Sequence, residues 1–420
     1  MWHEEPLGEL CTPRKGKNTT LSEWVKDGYL PYLGAGQISG APIEAYACVD
    51  GGVICNDDDI LILWDGERSG LVGYGNSGVV SSTAAKLVVN KKINSEYLYY
   101  FLSEKFSWIQ NQRTGTGVPH VPKDLAKILS IRYPKEELAQ KKIALILRSA
   151  DAAIEKTQAL TAKYENIKQG MMQDLFTRGV DENVQLRPSY EEAPHLYQET
   201  ELGWIPKDWD CSDISMYLEP SDGVKPGPFG SSIKKDMYTS SGYRVYGQEQ
   251  VIAGTLNVGD YYISPTKYSE MSVFSVRAGD VLVSLVGTIG HVLVIPEEYE
   301  EGVINPRLMR FRVNKKCCDP YFLRFLLLDS SVSQQLERFA TGGTMPVLSG
   351  KIFKKVRVPI IPKVEQSKIN EVLNGTEAKL LTLSRELNKL VQVKSGLMQD
   401  LLTGKVRVAE DIEECKEAVA

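Results

Sequence analysis

The side chains of this sequence best suited to chemistry are amides, hydroxyls and guanidinium groups gathered on glycine-rich stretches. What they offer is directional hydrogen bonding rather than bond making. Three sets of them occur twice, at matching places in the two halves of the chain. The first is Leu33-Gly-Ala-Gly-Gln37 with Gly247-Gln-Glu-Gln250; an amide presents a donor beside an acceptor, so Gln37, Gln248 and Gln250 match the paired edge of an adenine. The second is Trp64-Asp-Gly-Glu-Arg68-Ser69 with Val286-Gly-Thr288-Ile-Gly290, and the third contains Arg113, Thr116 and His120 or Arg338, Thr341 and Thr344. Base readout in a major groove needs such groups on loops that can enter it. An ordinary polar turn explains any one of these residues equally well, and the reading rests on the loops together.

Reactive constellations are absent from the sequence. An adenine methyltransferase needs an N-P-P-F-like or D-P-P-Y-like motif and a glycine-rich loop for its methyl donor; Asn305-Pro306-Arg307 is only a partial echo, and Thr114-Gly-Thr-Gly117 lacks the preceding strand and acidic residue. No G-x-x-x-x-G-K-[ST] run offers an ATP site. Glu377-Ala-Lys379 imitates the end of a nuclease motif, but it falls on a long helix where Glu and Lys are common solvent residues. The sequence has 4 histidines, widely spaced, which gives no support to a metal or Ser-His-Asp site.

Reading loops must be held by rigid elements, and the chain contains one such element twice, over residues 134–180 and 362–404. In the first copy Ile143, Leu147, Ala150, Ile154, Thr157, Thr161, Tyr164, Lys168, Met171 and Leu175 alternate steps of four and three, the seam of a helix that pairs with another. The second copy repeats it in register with Ile369, Leu373, Thr376, Leu380, Leu383, Leu387, Leu390, Lys394, Leu397 and Leu401, and both share the tetrapeptide MQDL. Two such stripes most simply bury each other. Antiparallel pairing supplies a two-fold axis, which matches the two-fold axes of a DNA duplex, whereas parallel pairing puts both readers at one end. At about 1.5 Å per residue each helix is roughly 60 to 68 Å long, so an antiparallel pair is expected to act as a ruler between two readers. Because the halves differ in sequence, the two parts of the target should differ too.

Before each helix lies a domain of short strands and turns, residues 1–133 and 202–361. In the first, strand signals at Ile60 to Trp64 and Val79 to Val89 flank a glycine-dense run, a short helix covers Glu96 to Ile109, and Leu125 to Tyr133 returns to strand. The second repeats the order: Tyr246 matches Tyr32, Gly254 matches Gly40, Asp280-Val-Leu-Val matches Asp59-Ile-Leu-Ile, and Tyr321 to Phe325 matches Tyr97 to Phe101. Residues 181–201 read as a surface linker and 405–420 as a frayed acidic tail. The predicted fold class is α+β, a tandem duplication of domain plus helix.

Composition bounds the rest. A chain of 420 residues with 42% hydrophobic content can bury more than one core. A net charge of -5 is awkward for a DNA binder unless charge is segregated, as it partly is: acid at Glu298 to Glu301 and the tail stands apart from basic Arg14 to Lys17 and Lys123 to Lys127. The stretch Lys351 to Arg357 alternates with apolar residues, as a solvated strand face does. The 7 cysteines form no C-x-x-C pair, which argues for reduced thiols and a cytoplasmic location. No leader-like or bilayer-length apolar run is present, so a soluble, unexported protein without membrane association is expected.

The run Ser395 to Val408, SGLMQDLLTGKVRV, preceded by a long helix and echoed at Gln169 to Gly179, closely resembles the specificity subunit of type I restriction-modification systems. Gly227-Pro-Phe-Gly-Ser-Ser232 and Gly279-Asp-Val-Leu-Val-Ser-Leu-Val-Gly287 add to the resemblance, which covers nearly the whole chain. It implies two target recognition domains, each reading half of a bipartite, asymmetric DNA site, held apart by the paired helices. It further implies a loop at 227–232 facing DNA, with Ser231, Ser232 and Lys234 near phosphate and Phe229 as a further candidate contact. The first domain departs there, having Arg14-Lys15-Gly16-Lys17-Asn18, which makes Arg14, Lys15 and Lys17 its candidates. The implied partners are double-stranded DNA, two modification subunits that methylate adenine N6 and two ATP-dependent restriction subunits. S-adenosylmethionine, Mg2+ and ATP would be bound by those partners and none by this chain. Three alternatives remain open: a recognition subunit of a related system that cuts on both sides of its site, a self-contained methyltransferase or nuclease, and a scaffold with no DNA role.

Overall fold

The computed structural model describes residues 2–114, 117–229, 232–285, 291–339 and 355–408. The chain divides into two compact units, one of residues 1–159 with 384–420 and the other of 160–383. Each unit therefore holds one domain and a part of both long helices, a division different from the expected domain-plus-helix repeat.

The helices run over Glu137–Thr177 and Lys363–Leu402, a few residues inside the expected 134–180 and 362–404. The heptad seam is largely covered. Ile143, Leu147, Leu175, Ile369, Leu373 and Leu401 are buried, and Ile154, Tyr164, Met171, Leu380, Leu387, Leu390 and Leu397 are half-buried. The direction of pairing is fixed inside each unit: in the first, Lys394 meets Asp151 while Leu401 shares a core with Ile143 and Leu147; in the second, Lys168 meets Glu377, Met171 meets Thr376 and Val180 meets Glu365. In both units rising number on one helix meets falling number on the other, so the helices are antiparallel. Glu377, expected to be a solvent residue, also takes both guanidinium nitrogens of Arg324 at 2.8 and 2.9 Å. Burial alone would raise its carboxyl, but the hydrogen bonds from Arg324 and Lys168 outweigh that and hold it below its usual range.

Both domains are built on one plan. In the first, a four-stranded antiparallel sheet orders Cys11–Lys15, Ala84–Val89, Ile60–Leu63 and Val72–Gly73; in the second, Val224–Pro226, Leu308–Phe311, Val281–Ser284 and Val292–Val294 stand in the same order. A parallel pair accompanies each, Tyr29–Leu33 with Gly78–Val80 and Tyr243–Tyr246 with Gly302–Ile304. The registers place Tyr246 opposite Leu33 rather than Tyr32, and the helix caps place Phe322 opposite Tyr97, so these expected matches shift by one residue. Glu96 to Ile109, expected as one helix, is two, Ser95–Glu104 and Phe106–Asn111, and the expected strand from Leu125 starts with a turn of helix, Leu125–Ile128.

A buried glutamine fastens each long helix to its domain. Gln140 accepts from Asn94 N at 2.6 Å and donates to Pro134 O at 2.8 Å; Gln366 accepts from Asp319 N at 3.0 Å and donates to Ile361 O at 2.8 Å. Asn94 and Asp319 are themselves N-caps of the packing helices Ser95–Glu104 and Pro320–Leu328. A buried amide left without partners is costly, so these bonds select one docking geometry.

Each long helix ends against a tryptophan. Gly179 and Gly404 adopt left-handed backbone angles, and a Cβ there would lie 2.3 Å from the Trp209 ring and 2.6 Å from the Trp2 ring. The expected linker 181–201 is more structured than a surface crossing. Its Arg187 forks onto buried Glu365, which also accepts from Val180 N and Trp209 Nε1, and Tyr197–Thr200 pairs with Gly203–Pro206. Of the expected frayed tail, Val408 packs on the first core, while 409–420 lie outside the described residues. Among the described residues no helix is long and apolar enough to cross a membrane.

Candidate nucleic-acid interface

In each domain the candidate loops meet at one end of the four-stranded sheet, because antiparallel order brings the end of two strands beside the start of the third. In the first domain Gly16 N donates to Ala84 O at 2.9 Å, Trp64 N and Asp65 N donate to Thr83 O at 2.8 and 3.0 Å, and Ser81 N donates to Leu33 O at 3.0 Å. The second repeats this pattern: Gly227 N to Leu308 O at 2.8 Å, Leu285 N to Arg307 O at 2.9 Å, and Asn305 N to Tyr246 O at 2.8 Å. These bonds gather the first loop (16–20 or the stretch from Gly227 to Phe229), the start of the second (64–69 or Leu285) and the turn before the third strand (81–83 or 305–307).

Two glycines make this possible. A Cβ on Gly16 would lie 2.1 Å from Ser81 O, and one on Gly227 would lie 1.9 Å from Asn305 O. The run Arg14-Lys-Gly-Lys-Asn18 thus stands at the place of the Gly227 loop with a different sequence. Arg14, Lys15, Lys17, Lys234 and Arg68 are exposed there, and Ser232 is half-buried. Phe229 is 89% exposed, an unusual setting for a phenyl ring.

The third stretch joins in the first domain. Gly66 N donates to Pro119 O and Val121 N to Trp64 O, both at 2.9 Å, which pairs His120 with Asp65. The Asp65 carboxylate receives His120 Nδ1 at 2.7 Å and Lys15 Nζ at 2.6 Å. Burial pushes this carboxyl up, yet the bonds from Lys15 and His120 prevail and hold it below its usual value. Arg338 is exposed in the last turn of helix Ser330–Phe339. Thr116, Ser231, Thr288 and Thr344 lie outside the described residues.

Several expected base readers face inward instead. Gln37 accepts from Gly34 N at 3.2 Å and donates to Pro42 O at 3.0 Å. Gln250, 0% exposed, accepts from Gly247 N at 2.8 Å and donates to Val258 O at 2.6 Å. Both cap the short helix that follows their loop, so their amides are spent. Gln248 donates to Ser284 Oγ at 2.6 Å, Ser69 is wholly buried, and Arg113 braces the second loop through Glu67 O and Gln110 O. Sequence reasoning missed Thr83 and Arg307, exposed equivalents at the centre of the cluster. Arg307 has no ion-pair partner among the described residues. Its signal was an exposed arginine after an X-Pro turn at the start of a strand. Among the described residues no group of three or more His, Cys, Asp or Glu is placed to hold a metal ion.

The sequence model described as the type I restriction modification DNA specificity domain matches residues 1–165 and 229–392. The MjaVIII type I restriction enzyme specificity subunit of Methanocaldococcus jannaschii is 26% identical over 415 residues, covering 97% of this chain and 93% of that protein. The EcoBI specificity subunit of Escherichia coli is 20% identical over 364 residues, 83% and 73% of the two chains. Among solved structures, the S subunit of a type I restriction-modification system from M. genitalium superposes with a TM-score of 0.58 at 15% identity over 96% of each chain. A chain from a structural study of assembly and conformational transition in a type I system gives 0.55 at 15% identity over 96% and 98%.

Proposed function

This chain belongs to the type I restriction-modification DNA specificity family, and from that premise we propose that it reads a bipartite, asymmetric DNA site, one half with each loop cluster. As a specificity subunit it assembles with DNA and with other subunits of its system and has no catalytic centre of its own. The observation that carries the reading is the repeated convergence of polar loops at the same end of two equivalent sheets, each held by the same backbone bonds. Framework and readout are thereby separated. The framework bonds recur in both domains, while the exposed groups, Arg14, Lys17, Arg68, Thr83 and His120 against Lys234 and Arg307, differ. In the finer reading, two modification subunits bind S-adenosylmethionine and methylate adenine N6 in each half-site. Two restriction subunits add ATP- and Mg2+-dependent cleavage.

The test is a domain exchange in the assembled complex. Residues 202–361 are replaced by the matching domain of a relative, and methylated adenines are mapped across a host genome. One half-site should change and the other should persist. Alteration of both halves, or methyl transfer by the purified chain alone, would overturn the reading.

A further inference from the structure

We propose that Asp65 is a positioning residue for DNA reading in the first domain, aiming His120 and tethering Lys15 so that one base of one half-site is read. The inference rests on the specificity reading above and adds a residue to it.

Three segments far apart in sequence meet on this one carboxylate. Lys15 ends its strand, Asp65 follows the strand Ile60–Leu63, and His120 comes from the third stretch. The acid is more covered than the groups it holds, with 17% side-chain exposure against 47% for His120 and 49% for Lys15. Its backbone is fixed as well, by Asp65 N on Thr83 O at 3.0 Å at the centre of the loop cluster. A carboxylate pointing at phosphate repels it, so an acid at such a place is understandable when its charge is used within the protein. Lys15 neutralises it there.

The consequence for His120 is chemical. An ionised carboxylate only accepts, so the proton of the ring must sit on Nδ1 at 2.7 Å from Asp65. Nε2 has no partner among the described residues, and on a neutral ring it is then a pure acceptor. In a major groove an acceptor meets the exocyclic amino group of adenine or cytosine and rejects the carbonyl edge of guanine or thymine. Without Asp65 the ring samples both tautomers and rotates, and the same edge offers a donor part of the time. The second domain has Pro226 at the Lys15 position, as the pairing of Pro13 with Leu87 and Val224 with Phe311 shows. The trio therefore belongs to one domain, and its effect should be confined to one half-site.

The experiment uses the full chain co-expressed with its modification subunits in a host free of other adenine methylation, with methylated sites mapped genome-wide. Asp65→Asn and His120→Gln should each relax the same single position of one half-site, about ten-fold in discrimination, while the other half-site stays unchanged. Asp65→Glu should restore part of the preference. A folded Asp65→Asn with an unchanged motif would show that Asp65 only braces the loops and would overturn the proposal. Should Asp65→Asn not fold, His120→Gln at a half-exposed position decides: a motif unaltered by it overturns the proposal, and relaxation at one position supports it. If the wild-type map shows no bipartite motif, the specificity reading itself falls and takes this inference with it. Failure of the inference alone leaves the wild-type motif in place with every variant reproducing it.

Discussion

The two recognition domains share a backbone and differ inside it. Where the first sheet carries the charged pair Lys86 with Asp59, the second at the same place buries Arg310, Arg312 and Asp280 and adds half-buried Asp222. Arg310 is 0% exposed, and Arg312 forks onto Asp280 at 3.0 and 2.9 Å. The backbone bonds that gather the loops are nonetheless the same in both. The strand order is thus compatible with different interiors, and loop placement depends on main-chain pairing and two close-packed glycines more than on the side chains beneath.

The sharpest way to test that difference is to remove the equivalent acids. Asp280→Ala strips a buried arginine of its forked partner, and breaking such a pair costs about 3 to 5 kcal/mol. Asp59→Ala removes a pair nearer solvent and should cost about 1 kcal/mol or less. Denaturant unfolding with hydrogen exchange resolved by unit measures both, and equal losses would break the comparison.

A smaller effect is expected at the helix seam. Glu377→Gln leaves Arg324 and Lys168 without their shared carboxylate and should cost about 1.5 to 3 kcal/mol at neutral pH. Because the folded Glu377 carboxyl lies below its ordinary 4.5, the folded state binds fewer protons than the unfolded chain. Its contribution is present above about pH 4.5 and fades as pH falls through the lower folded value. The acid limb of the second unit's stability curve should therefore be steeper in the wild type than in Glu377→Gln, and parallel curves would contradict this.

The smallest contrast concerns the capping glutamines. Gln250→Ala should destabilise the second unit by about 1 to 2 kcal/mol and Gln37→Ala the first by about 0.5 to 1. Neither should alter the methylated motif. A motif changed by Gln37→Ala in a folded protein would return that residue to the list of base readers.

These glutamines also show where the sequence was legible and where it was not. The long helices could be read to within a few residues, because a heptad stripe repeated in register leaves little else for the chain to do. The sheets were legible as strand signals, but their order and one-residue register needed the pairing itself. The loops were located, yet an amide that caps a helix and one that reads a base are the same chemical group. Gly34-x-x-Gln37 and Gly247-x-x-Gln250 do carry the N-cap to N3 spacing of a capping box, the one signal that pointed inward. The ion pair of Asp65 with Lys15 was illegible, since nothing in local sequence tells a lysine which distant acid it will meet.

The tryptophans at the helix ends give the duplication a further property. Trp209 closes over Gly179 where the first helix gives way to the second domain, and Trp2 closes over Gly404 where the second helix arrives back at the first. A linear repeat has an opening copy and a final copy, with different surroundings. Here each domain meets the end of a long helix in the same way, so the two share one local setting whichever comes first in the sequence.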